Sequence, residues 1–456
     1  MDCISGLPDE LLHDILLRLN STRAAGRTSV LSRRWRNVWA TLPQLVFDGD
    51  GYGTGSDSAA PPAASFLDSV DGALRAYSAP TIDVLDISQP SGCPAFPARR
   101  VGSWLRFASR RMARTLSLDV PWSSSTPGNP RKAEVLVLPT IDGAQYIWLS
   151  LGKRWLRIRP AGVFVALTDL TIGGATMEGR VLEALVCSQC PRLRDLRLLQ
   201  VTLAPESDIS LRSDSLETLS FWVVFPNRHR LEIVAPKMEQ LCVCQLYSSG
   251  ARISAPKLAE LVWEGYPDFF GSDIQFVDAS RHLRVLEVSE ISGSLMQRFD
   301  KVDELRLEDV NISRGEVAYE SFVNRTNNLP KCGTLSVSLH GKDYHGFAPS
   351  MLHLLKKCNS SCKADDITLD SLEVVEIYLN EGRRAVATSA LAPTAEEASA
   401  ARAHGLSPGC GRCRHSAARL APTSATEAAG AEVGLATLAL ALASADMASR
   451  LVDAPT

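Results

Sequence analysis

Hydrophobic positions along this chain recur in one frame, apolar-x-x-apolar-x-apolar. It runs Ile82/Leu85/Ile87, Ala113/Leu116/Leu118, Leu167/Leu170/Ile172, Leu193/Leu196/Leu198, Leu216/Leu219/Phe221 and Met238/Leu241/Val243. It continues as Leu258/Leu261/Trp263, Leu283/Leu286/Val288, Val302/Leu305/Leu307, Cys332/Leu335/Val337 and Leu372/Val375/Ile377. Apolar residues at alternate positions predict a short strand with one buried face. The central leucines, Leu170 to Leu305, are spaced 26, 23, 22, 20, 25 and 19 residues apart. One strand per turn cannot bury that face alone, whereas stacked turns make a continuous core.

That spacing is close to the period of about 20–29 residues of leucine-rich repeats. It predicts an irregular solenoid whose parallel strands line its inner curve. The side chains between the apolar positions then point at whatever sits there. They are Thr171, Arg197, Ser220, Cys242, Val262, Glu287, Arg306 and Ser336. Such a mixed row suits a protein ligand more than a uniform polyanion. Arg197, Glu287 and Arg306 are its candidate target-binding residues. The prolines of "APKMEQL" and "APKLAEL" are expected at strand entries.

A different period governs residues 5–40. Pro8 suits a first helical turn, and Asp9 and Glu10 favour the positive end of the helix dipole. Leu11, Leu12, Ile15, Leu16 and Leu19 then follow at helical spacing. Asn20-Ser21-Thr22 ends this helix and caps a short basic one through Arg27. A third helix is expected to carry Val30, Leu31, Trp35 and Trp39 on one face. A segment this short cannot bury so much apolar surface internally. Part of it should remain as an exposed patch, which marks a partner site or a contact with the rest of the chain.

The stretches "LPDELLHDILLRL", "RTSVLSRRWRNVW" and "LPQLVFD" resemble the F-box in its plant form. The resemblance implies a non-catalytic substrate-receptor subunit of an SCF (Skp–cullin–F-box) ubiquitin ligase. It would bind a Skp-type adaptor, and through it cullin, and present an unknown target protein. Leu7, Pro8, Leu11, Ile15, Val30, Leu31 and Trp35 match the positions expected to face the adaptor. Trp39 is expected to pack towards the receptor body. "WLRFASRRMARTLSLDVP", "FVALTDLTI", "CPRLRDLRL", "SDSLETLSF", "LPKCGTLSVSL", "SMLHLLKKCNS" and "LDSLEVVEI" extend the resemblance to plant F-box/leucine-rich-repeat proteins that end in an FBD domain. The alternative is a scaffold that binds the adaptor without presenting a target.

The expected organisation is an α+β solenoid. Residues 1–47 form a three-helix F-box and 48–64 a Gly/Ser/Asp/Pro-rich linker. Order resumes near Phe66 with an amphipathic helix, and the repeat body runs over 65–345. Residues 346–382 are a partial FBD; from 383 to 456 an Ala-rich sequence replaces its continuation and predicts a disordered tail.

Composition changes this picture little. Of 456 residues, 48 are Lys or Arg and 51 Asp or Glu, for a net charge of -3, without the basic excess of a nucleic-acid binder. An acidic N-terminus and the lack of a long apolar run predict a soluble protein of the cytoplasm or nucleus, with no membrane partner. The eleven cysteines include two CxxC pairs, Cys187/Cys190 and Cys410/Cys413, neither with a second pair at zinc-finger distance. Cys410 and Cys413 have His404 and His415 nearby, in the Ala-rich tail. No nucleotide, hydrolase or metalloprotease motif is present, so no catalytic residue, cofactor or metal is assigned.

Overall fold

The computed structural model describes residues 7–48, 63–89, 96–111, 113–120, 135–159, 162–204, 208–224, 230–244, 250–265, 273–289, 293–311, 326, 329–340, 374–379 and 383–387. The predicted linker, most of the partial FBD, and Cys410 and Cys413 lie outside these residues. Two compact units are distinguished, Met1–Lys257 with Gly271–Ala279, and Leu258–Phe270 with Ser280–Thr456.

The first unit begins with helix α1, Asp9–Leu17, entered from Pro8, which is extended and has no side-chain cap. Asn20 ends its last turn in the left-handed region (φ 48°), a conformation asparagine tolerates better than most residues. Ser21 then caps α2, Thr22–Arg27, its Oγ accepting from the Ala24 N–H at 3.3 Å. The expected third helix is broken into a 3-10 turn at Thr28–Val30, helix α3 at Trp35–Val38 and a second 3-10 turn at Trp39–Thr41. Thr28 explains the first break. It is β-branched, and its hydroxyl donates to the Ala25 carbonyl at 2.6 Å, a local bond that competes with helix continuation.

Leu12, Leu16, Ala25, Trp35, Val38 and Leu42 make a small core, with Leu7, Leu17 and Trp39 packed against it. His13 Nε2 lies 3.1 Å from both the Val38 carbonyl and Thr41 Oγ1, tying α1 to the later turns. Arg34 Nε donates to Asp9 Oδ1 at 3.1 Å across the same pair of segments.

Strand β1, Gln44–Asp48, leaves the helices and pairs in parallel with β2, Val84–Ser88. The sequence assigns β1 to the helical domain, but its Leu42/Leu45/Phe47 are buried like the apolar triplets of the repeats. The helices are thus continuous with the first turn of the solenoid. Val46 N–H donates to Thr22 Oγ1 at 2.7 Å, fixing α2 on β1. The Tyr77 hydroxyl sits 2.9 Å from both the Leu42 and Thr81 carbonyls, and burial pushes its pKa up to about 12.

Two helices cover this end, α4 (Ala63–Ala76) and α5 (Ala98–Arg110). Phe66, Phe96 and Trp104 form a ring cluster with centroids 5.8–5.9 Å apart, and Trp104 Nε1 donates to Asp71 Oδ1 at 2.7 Å. The inner sheet continues through β3 (Thr115–Asp119), β5 (Tyr146–Ile158), β6 (Asp169–Met177), β7 (Asp195–Leu203), β9 (Thr218–Val224) and β11 (Gln240–Cys244), each parallel to the one before. A second missed triplet, Ala144/Ile147/Leu149, is fully buried at the start of β5. Strand β4, Val135–Leu138, pairs with the far half of β5, Trp155–Ile158.

Between β6 and β7 the chain forms α6, Gly179–Ala184, and a π turn, Leu185–Gln189. Outer strands β8 (Ile209–Arg212), β10 (Arg230–Val234), β12 (Gly250–Ser254) and β14 (Asp273–Phe276) make a second parallel sheet. Pro236 lies in the turn between β10 and β11, closed by Met238 N–H on the Ala235 carbonyl at 3.1 Å, and not at a strand entry as expected.

In the second unit β13 (Glu260–Glu264), β15 (His282–Val288), β16 (Lys301–Asn311), β17 (Lys331–His340) and β18 (Val374–Leu379) are parallel neighbours, with α7 (Gly293–Arg298) before β16. Strand β19, Arg383–Ala387, pairs antiparallel with β18. Residues 383–387, expected in a disordered tail, form this strand instead. Residues 388–456 lie outside the described residues.

Candidate docking surfaces

The helical segment buries only part of its apolar surface. Leu12 and Leu16 turn inward, while Leu11 and Ile15 on the other face of α1 are 48% and 40% exposed. Leu19 just past the helix is exposed too, and Val30 and Leu31 reach 84% and 66%. Pro8 is exposed at the helix entry and Leu7 is half-buried against the core. Of the residues expected to face an adaptor, Pro8, Leu11, Ile15, Val30 and Leu31 are therefore presented outward.

Trp35 is not presented. It is 4% exposed and belongs to the core of the segment. The break between Thr28–Val30 and Trp35–Val38 turns Trp35 away from the Val30/Leu31 surface it was expected to share. It packs in one cluster with Leu12 and Leu16 of α1 and Val38 of α3. Trp39 is half-buried against the same core.

The row of side chains along the strands can be read from the register. In the first unit Val46, Asp86, Ser117, Trp148, Thr171, Arg197, Ser220 and Cys242 lie side by side. Thr171, Ser220 and Cys242 are buried, since adjacent strands stand about 4.8 Å apart and larger neighbours shield small side chains. Arg197 is half-buried and paired, its Nη2 2.6 Å from Asp195 Oδ2. Asp86 was not singled out in the sequence. Burial pushes its carboxyl above the usual carboxylate value; hydrogen bonds from Ser117 and Ser88 oppose this, and the Asp48 and Asp119 charges add to it.

In the second unit the row is Val262, Glu287, Arg306 and Ser336. Ser336 is buried. Arg306 donates through Nε to Glu304 at 2.7 Å and through Nη1 to Glu287 at 3.4 Å, which holds its guanidinium above its ordinary pKa. Arg197 and Arg306 are thus already paired with carboxylates on their own surface. A ligand would have to compete with those pairs, which lowers what either contributes to binding.

The described half of the CxxC pairs, Cys187 and Cys190, divides between surface and core. Cys190 is buried and its thiol is pushed up to about 12, whereas Cys187 is exposed and its Sγ accepts from the Arg212 N–H at 3.3 Å. Among the described residues no three His, Cys, Asp or Glu side chains come together as a metal site. Nor is any helix among them long and apolar enough to cross a membrane.

Comparison with known proteins finds two matching family models. Residues 4–46 match the F-box domain family. Residues 101–266 match the repeats described as those of the FBD-associated F-box protein At5g56370. The Arabidopsis thaliana FBD-associated F-box protein At5g50270 is 25% identical over 413 residues, 84% of this chain and 92% of that protein. The F-box/FBD/LRR-repeat protein At2g04230 of the same plant is 24% identical over 395 residues, 84% of this chain and 76% of the relative. A stretch of 47 residues is 55% identical to F-box/LRR-repeat protein 25 from the same plant; it covers 10% of this chain and 18% of the relative.

Proposed function

We propose that this chain, which carries an F-box followed by leucine-rich repeats of the FBD-associated type, is a substrate-receptor subunit of an SCF ubiquitin ligase. F-box domains dock on Skp-type adaptors, and the exposed Leu11, Ile15, Val30 and Leu31 supply the apolar surface such docking needs. That patch is the observation that carries the reading. Leu11, Ile15, Val30 and Leu31 stand outside the buried cluster of Leu12, Leu16, Ala25, Trp35, Val38 and Leu42.

The repeats hold a target protein in this reading, and cullin joins through the adaptor. The chain does no ubiquitin chemistry itself. It raises the effective concentration of the target near the charged ubiquitin carrier, a purely positional contribution. It would act in the cytoplasm or nucleus. The test is a pull-down of the full chain with a Skp-type adaptor, comparing wild type with Leu11→Ser/Ile15→Ser. Both positions are surface positions, so folding is expected to persist while adaptor capture falls. Undiminished capture by the variant, or none by folded wild type, would overturn the reading.

A further inference from the structure

A groove of about 220 Å³ lies between α5 and β4, away from the patch just described. Its walls are fixed at both ends. Buried Arg154 donates through Nη2 to the Phe96 carbonyl at 2.7 Å, anchoring the entry of α5 to β5. Ser109 Oγ donates to the Thr140 carbonyl at 2.6 Å, anchoring its exit beside the end of β4.

Three arginines, Arg99, Arg106 and Arg159, line it. All are exposed, and none has a side-chain ion pair or hydrogen bond among the described residues. This contrasts with Arg100 on the same helix, which pairs with Asp68 and Asp71 at 2.8 and 3.2 Å. The first turn of α5 carries no acid, and its Pro97 cap offers no side-chain acceptor, so the helix dipole adds to the positive charge. Like charge drawn from a helix and from the end of β5 onto one groove raises the local positive potential, which an anion offsets.

The groove is also apolar on its opposite wall. Val135 and Val137 point out of β4 and are 37% and 45% exposed, while Leu136 and Leu138 point in. β4 is paired on one side by β5 and has no second strand partner among the described residues. Two exposed valines on a strand, faced by three guanidinium groups with no partner among the described residues, suit an extended chain that alternates acidic and apolar side chains. A nucleic-acid backbone would find the charge but waste the apolar wall.

We propose that the groove between α5 and β4 binds an acidic peptide segment of a partner protein. Its carboxylates meet Arg99, Arg106 and Arg159, and its apolar side chains lie on Val135 and Val137. This inference does not depend on adaptor docking: the groove would serve equally in a chain that never met a ligase.

The test uses the folded full chain and a library of short fluorescent peptides alternating Glu or Asp with Val or Leu, against the same library with Lys for every acid. Acidic members are expected to bind and basic ones not. Each single Arg→Ala should weaken binding by about 2–5-fold and Arg99→Ala/Arg106→Ala/Arg159→Ala by about 30-fold, as for exposed charge pairs. Gly102→Phe gives an independent variant. A Cβ built at Gly102 meets nothing within 4 Å, so the new side chain can enter the groove without displacing the scaffold. It should block binding while the melting midpoint stays at or above wild type. Failure of the acidic library to bind wild type would overturn the proposal. So would equal binding to the triple variant, or a preference for heparin over every acidic peptide.

Discussion

Val30 and Leu31 give the most direct handle on the helical patch. They are 84% and 66% exposed, so replacing both with serine removes apolar surface that the isolated chain does not use. Fully burying a Val or Leu side chain is worth about 1.5–3 kcal/mol. Scaled by those exposures, covering both residues contributes at most about 2–4.5 kcal/mol, equivalent to about 30- to 2000-fold in affinity. Serine retains a little of that contact, and the patch adjusts, so at least about a 10-fold loss is expected for Val30→Ser/Leu31→Ser. Calorimetric titration of the variant with a Skp-type adaptor measures it, alongside a thermal melt of the variant alone. The melt should match wild type, because neither side chain belongs to the core. A loss of less than about 3-fold, with folding intact, would refute the assignment of this surface to docking.

Other expectations follow from named contacts. Trp35→Ala should cost about 3–5 kcal/mol in stability, because Trp35 is a buried core residue; a denaturant melt that shows little change would remove it from the core. Tyr77→Phe leaves the Leu42 and Thr81 carbonyls without their hydroxyl and should destabilise by about 1–3 kcal/mol, read as a lower denaturation midpoint. Asp86→Asn should stabilise at neutral pH. The carboxyl is held above its ordinary 3.8, so the folded chain binds the proton more tightly than the unfolded chain, and stability falls as pH rises through that window. The gain should vanish well below 3.8, where both states are protonated, and melts across that range check the sign.

Much of the fold is legible because its period is short and its apolar triplets are strict. The frames from Leu167/Leu170/Ile172 to Cys332/Leu335/Val337 all fall on buried positions. Leu42/Leu45/Phe47 obeys the same frame, but its nearness to the helical motif draws it into that domain. Ala144/Ile147/Leu149 obeys it too, with Ala first as in Ala113/Leu116/Leu118. The outer sheet was not anticipated, since Ile209/Leu211 and Leu231/Ile233 offer only two apolar residues each, too few to separate a strand from a loop.

The docking patch was legible as a surplus of apolar residues, but not the placement of Trp35. Helical spacing from Leu31 puts the two on one face only if the helix is continuous, and Thr28 and the turns after it interrupt that continuity. The pairing of Arg306 with Glu287 depends on which strands are neighbours and in what register, which periodicity along one strand does not contain. The same holds for the α5–β4 groove, whose two walls are separated by a segment outside the described residues.

The central claim is that this chain delivers a target to a ligase. The most direct measurement reconstitutes the chain with a Skp-type adaptor, cullin and a charged ubiquitin carrier, and follows ubiquitin transfer to a protein captured by the repeats. The account predicts modification of that protein with wild type and its loss with Val30→Ser/Leu31→Ser, capture itself unchanged. A captured protein that stays unmodified while the adaptor is fully bound would contradict it and leave the chain a scaffold.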